Sequence, residues 1–173
     1  MIGRKPLVAL ITALCVILIM FPTIEAEYNL PEAGVTPDSP LYGSDKAAEA
    51  LQLTLVLDPL NKAELHLQFA GERLAEAMVM ADQGKLGLVL DPIQEYERNM
   101  IGVLKYIAQA HEVGEDITRI CELVLVATSK HQDVLEEIYA KMPAHTHSVI
   151  AHAKAVSARV QEEAAKRLKE GFA

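Results

Sequence analysis

The stretch DPLNKAELHLQFAGERLAEAMVMADQG, residues 58–84, decides the fold class. Its apolar positions fall at Leu60, Ala63, Leu67, Ala70, Leu74, Ala77 and Ala81, in alternating steps of three and four. Steps of that size put one side chain per turn on a single helix face. Large leucines alternating with small alanines let another helix approach closely, so an antiparallel neighbour is expected. Asp58 then Pro59 opens the segment: the carboxylate accepts a hydrogen bond from a free first-turn amide, and proline has no amide to leave unsatisfied. Gly84 is expected to close it.

Working outward, the same pattern recurs. Ile93, Tyr96, Met100, Val103, Ile107 and Ala110 form a second stripe that ends near Gly114. Ile117, Cys121, Val124, Thr128, His131, Leu135 and Ile138 form a third, stopped by Pro143. Val149, Ala153, Val156, Val160, Ala164 and Leu168 form a fourth. Ala47, Ala50, Leu51, Thr54, Leu55 and Leu57 give a shorter face ahead of Asp58, with Ser39 and Pro40 as the expected helix start. Leu90-Asp91-Pro92 repeats Leu57-Asp58-Pro59, but the segments that follow share little else, which reads as a shared cap and not as a repeat. No run alternates with period two between turn signals, so the expected fold is an all-α antiparallel bundle of about five helices over residues 39–173. Residues 27–38, with Pro31, Gly34 and Pro37, read as an extended lead-in.

The beginning of the chain bears on compartment. Arg4 and Lys5 precede an uncharged run, Leu7–Phe21, which Pro22 breaks, and Ala26 offers a small residue at a cleavable position. Residues 1–26 therefore read as a secretory signal cut after Ala26, or, if uncut, as an N-terminal membrane anchor through residues 7–21. Either way the rest is expected outside the cytoplasm. Cys15 leaves with the signal, so Cys121 stands alone and a hydrophobic core must hold the domain without a disulfide. The flanking Ile120, Leu123 and Val124 suggest that Cys121 is packed inside.

The formal net charge is −8, and an acidic chain does not track a phosphate backbone, so no nucleic-acid partner is expected. Lys154, Arg159, Lys166, Arg167 and Lys169 gather near the C-terminus but are interleaved with Glu162, Glu163 and Glu170, as on a solvated helix face.

Chemistry-bearing residues are few. His145, His147 and His152 bracket the start of the last helix and raise the reading of a transition-metal site. On a regular helix, however, His145 and His152 sit about 10 Å apart along the axis, and His147 falls on nearly the opposite face. His131 lies with Thr128 on the apolar face of the third stripe, either as a polar layer fixing helix register or as part of a pocket between helices. His66, beside the seam of the 58–84 helix, has the reach to join such a layer. Catalytic patterns are missing from the sequence: His111-Glu112-Val113-Gly114-Glu115 lacks the second histidine of a zinc-protease helix, and no glutamate stands three residues before a histidine. No cofactor is expected.

Some segments resemble a known family. Ala33-Gly34-Val35-Thr36-Pro37-Asp38-Ser39-Pro40-Leu41-Tyr42, Asp58-Pro59, Lys62-Ala63-Glu64-Leu65-His66-Leu67, Glu72-Arg73-Leu74-Ala75-Glu76-Ala77 and Ala127-Thr128-Ser129-Lys130-His131 look like the family called domain of unknown function 5667, over roughly residues 30–168. The resemblance implies an extracytoplasmic helical domain of archaea or bacteria, in some cases attached to membrane-bound regulators. It supplies no reaction, and it makes Thr128, Lys130 and His131 a family feature. It lends the three late histidines no support. Gly71 departs from the expected pattern at a cost of about 1 kcal/mol relative to alanine, for which a close helix crossing is the expected reason.

Three readings follow: a non-enzymatic extracytoplasmic interaction module that binds an envelope protein, a peptide or a second copy of itself; a metal-binding or metal-sensing bundle using His145, His147 and His152; and an enzyme with His131 as base, which requires that ring to be open to solvent.

Overall fold

The computed structural model describes residues 28–171. The candidate signal or anchor, with Cys15, lies outside the described residues. The fold is an all-α bundle: α1 Tyr42–Leu55, α2 Pro59–Asp82, α3 Leu90–Glu112, α4 Thr118–Lys141 and α5 His147–Gly171, with short 3-10 turns at Leu86–Leu88 and Ala144–Thr146. Among the described residues no helix is long and apolar enough to cross a membrane.

Helices α2 to α5 form a ring. α2 packs on α3 and on α4, and α5 packs on α4 and on α3. Ion pairs fix the directions. Arg119–Glu64 joins the starts of α4 and α2 and Lys141–Asp82 joins their ends, so those two run parallel. His152–Glu97 likewise sets the start of α5 beside the start of α3. The bundle is thus two antiparallel hairpins, α2–α3 and α4–α5, laid side by side. The consecutive helices α3 and α4 occupy diagonal corners.

The stripes of α2, α3 and α4 meet inside this ring as their periodicity predicts: from Ala63 to Ala81, from Ile93 to Ala110 and from Ile117 to Ile138 they lie in the core. The helix ends follow local chemistry. The Asp58 carboxylate accepts from the Asn61 amide at 2.7 Å, the expected cap. Gly84 and Gly114 adopt φ of 70° and 83°, where a side chain would be strained. There the amides of Lys85 and Glu115 reach back to the carbonyls of Met80 and Ala110, both at 3.0 Å or less.

Other expectations are corrected. Asp91 is not a cap: the turn at Leu86–Leu88 feeds straight into helical backbone at Val89, so Asp91 and Pro92 lie inside the first turn of α3. Proline is harmless there because first-turn amides have no intrahelical partner. Ser39 does not cap either. Its hydroxyl accepts from the Leu41 amide at 3.2 Å, within the turn ahead of α1. In α5 the buried line passes through Ile150, Ala153, Ser157, Val160 and Ala164, whereas Val149 and Val156 are only half-buried.

The largest correction concerns α1. Its expected core face, Ala47, Ala50, Leu51, Thr54, Leu55 and the following Leu57, is exposed, and no residue of the helix is buried. The opposite face, Tyr42, Lys46, Glu49 and Leu53, turns toward the bundle. The physical reason is that the ring has closed its apolar stripes on one another, so its outer wall offers α1 mainly charge: Arg73 and Glu76 on α2 and Glu95 on α3.

Candidate functional site

Two polar centres and one groove stand out from the packed interior. The first joins α1 to α2. Arg73 and Glu76 are each 1% exposed and pair with one another at 3.0 Å. Arg73 also pairs with Glu49 and donates to the Tyr42 hydroxyl at 3.1 Å, and that hydroxyl donates to Glu76 at 2.9 Å. Burial pushes the Glu76 carboxyl up to about 7 against the opposing pull of Arg73 and Tyr42. This cluster unites the Pro-Asp-Ser-Pro-Leu-Tyr segment with the Glu-Arg-Leu-Ala-Glu segment. Periodicity could not reveal it, because charged residues on a helix read as a solvated face.

The second centre surrounds His131. The ring is fully buried, and its neighbours are the edges or faces of Tyr28 and Tyr96, at centroid distances of 5.7 and 5.4 Å. Among the described residues neither ring nitrogen has a hydrogen-bond partner, and the Tyr96 and Ser157 hydroxyls have only each other close by. Burial depresses the imidazole to about 4, so it is neutral at ordinary pH. Thr128 does not join the layer. Its hydroxyl turns back to donate to the Val124 carbonyl of its own helix, at 2.7 Å. The polar layer is therefore His131, Tyr96 and Ser157, sealed by the lead-in through Tyr28, and the imidazole has no access to solvent.

Gly71 is explained by the same lead-in and not by a helix crossing. A Cβ on Gly71 would fall 2.6 Å from Pro31 Cδ and 3.0 Å from the Tyr28 hydroxyl. The sequence marks residues 27–38 only as an extended lead-in, because an extended segment carries no periodic signal to show what it packs on.

The groove lies where the end of α1 meets α2 and α3. It measures about 600 Å³ and is lined by Leu53, Thr54, Lys62, His66, Arg98, Ile101, Gly102, Lys105 and Tyr106. His66 does not reach His131. Its ring lies over Gly102, where a Cβ would come within 2.7 Å of it, and stacks on Tyr106 at 5.4 Å. Asn99 donates through Nδ2 to the Glu95 carbonyl at 3.1 Å, which turns its oxygen to the His66 Nδ1 at 2.9 Å.

The three late histidines each have separate surroundings. His147 Nε2 donates to the Met142 carbonyl at 2.8 Å and its ring stacks on Tyr139 at 3.9 Å. His152 Nδ1 lies 3.0 Å from Glu97 on α3. His145 is exposed in the turn before α5. Among the described residues no group of three or more histidine, cysteine or acidic side chains is placed to hold a metal ion. Cys121 is fully buried, and burial raises its thiol pKa. Of the late cations, Lys154, Arg167 and Lys166 pair with Glu136, Glu163 and Glu170.

Comparison with known proteins gives one family. Residues 34–145 match the model of the family described as Domain of unknown function (DUF5667), a span that ends before α5 and short of residue 168. The chain belongs to this family. No curated protein and no solved structure matches it.

Proposed function

We propose that this DUF5667-family chain is a non-enzymatic, extracytoplasmic interaction module that docks an envelope protein. The observation that carries the reading is α1. Leu51 is 60% exposed, Leu55 71% and Leu57 86%, so an apolar helix face points away from a ring whose own apolar stripes are closed. A contiguous apolar face kept in water costs solubility and is most simply understood as a surface awaiting a partner. The Arg73–Glu76–Tyr42 cluster holds that face outward. The enclosed position of His131 also supports a non-enzymatic role, since a general base must touch its substrate. The extracytoplasmic setting rests on the Arg4-Lys5, Leu7–Phe21 and Ala26 pattern.

Site-specific photo-crosslinking in the native cell envelope tests this. A photoreactive side chain at Leu51 or Leu55 should give an adduct of discrete mass in the envelope fraction, and one at exposed Arg119 should not. Equal labelling from all three positions, or none from Leu51 and Leu55, would remove the reading. An adduct twice the mass of the chain would identify a second copy as the partner.

A further inference from the structure

The groove beside α1 is chemically unlike the rest of the surface. In a chain with net charge −8, four basic side chains, Lys62, His66, Arg98 and Lys105, line one opening and no carboxylate does. Arg98 is committed to Glu95, at 2.5 Å. Lys62 and Lys105 enter no ion pair among the described residues, and both ammoniums stand over the Tyr106 ring, at 5.1 and 4.9 Å from its centroid. Each ammonium is drawn to the ring by its π face, so that one cation from α2 and one from α3 are held at the same opening with no carboxylate in its lining. His66 reports the same field: burial, together with Lys105 and Lys62, holds its imidazole below the ordinary value despite the Asn99 hydrogen bond.

The groove is also half apolar. Ile101 is 59% exposed at its edge, and Leu53 and Thr54 carry its wall onto the end of α1. An occupant therefore meets positive charge and, beside it, the apolar Ile101 and Leu53, which a small anion would leave uncovered. A long polyanion or an anionic membrane would be repelled by the acidic remainder of the surface, whereas a short acidic segment needs complementarity only here.

We propose that the Lys62–Lys105 groove, floored by Tyr106 and His66, binds an acidic amphipathic segment of the partner protein, with carboxylates against the Lys62 and Lys105 ammoniums and apolar side chains over Ile101 and Leu53. This deepens the interaction-module reading and rests on it.

The test is fluorescence anisotropy of the full chain with a short labelled peptide of alternating glutamate and leucine. The peptide should bind with salt-sensitive affinity, and the same peptide with lysine in place of glutamate should not. Lys62→Gln with Lys105→Gln should weaken binding about tenfold or more, with the helical circular dichroism unchanged. Lys130→Gln with Lys169→Gln, which removes the same charge elsewhere, should leave binding as it was. Equal weakening by both double variants would show a response to net charge and overturn the groove, as would no binding at all. Binding of citrate as tight as that of the peptide would make this a small-anion site and overturn the acidic segment. If the peptide fails while crosslinking from Leu51 still gives a discrete adduct, the groove is wrong and the interaction module stands.

Discussion

The Tyr42 hydroxyl donates to the Glu76 carboxylate at 2.9 Å across 34 residues of chain, and beside it Arg73 closes the link from α2 back to Glu49 on α1. Attachment of α1 is thereby electrostatic where attachment among α2, α3, α4 and α5 is apolar. The two parts of the molecule should respond differently to the same perturbation.

Arg73→Met is expected to weaken the attachment of α1 by about 1–3 kcal/mol, because Glu49 and the Tyr42 hydroxyl lose their partner and Glu76 is left buried as the neutral acid. The ring should survive. Hydrogen exchange is the measurement: amides in Tyr42–Leu55 should exchange quickly while those of α3 and α4 stay protected. Uniform loss of protection would mean that α1 is integral to the core.

His131→Leu should stabilise the protein at neutral pH by about 1–3 kcal/mol, since two buried nitrogens without partners are removed. The sign with pH is definite. With the native imidazole held near 4 and the unfolded one near 6.5, the unfolded state binds more protons between those values, so wild-type stability from this group is lost as pH falls. The advantage of His131→Leu should grow by about 3 kcal/mol from pH 6.5 to 4. Glu76 acts oppositely: raised to about 7, its native carboxyl binds more protons than the unfolded one, and stability falls as pH rises to 7. Thermal unfolding of the wild type, His131→Leu and Glu76→Gln across that range separates the two.

Much of this was legible in sequence and some was not, for reasons that lie in the residues. The stripes of α2, α3 and α4 were readable because leucine, isoleucine and alanine at steps of three and four line up on one face of a helix. The α1 face has the same spacing, and periodicity shows only that a face is apolar, not whether anything covers it. The decisive residues, Arg73 and Glu76, are charged, and in a linear sequence a buried ion pair looks like a solvated one. Ser157 was missed because its polarity hid a core position, and Tyr28 because extended backbone carries no period.

Gly71→Ala gains helix propensity of about 1 kcal/mol but drives a Cβ to within 2.6 Å of Pro31. The proline ring cannot fold away, so the lead-in should lift from α2. Limited proteolysis should then cut around residues 28–31 faster than in wild type, with the helical signal retained. Unchanged cleavage would show that the lead-in shifts without detaching.

Zinc, copper and nickel should leave the melting temperature unchanged. His147 already donates to the Met142 carbonyl, and His152 faces Glu97 on another helix. A rise with one metal that disappears in the His145→Ala, His147→Ala variant would show that the start of α5 rearranges around the ion, since a ligand that binds the native state must stabilise it.

The diagonal placement of α3 and α4 bears on how the chain reaches this state. Each hairpin closes through a short turn, so its contacts are local and quick to form, and the parallel contacts between hairpins must come afterwards. The turn at Gly114 then separates two pieces that each contain their own partner. A backbone severed there should reassemble from its halves, with docking of the two hairpins as the slow, concentration-dependent step.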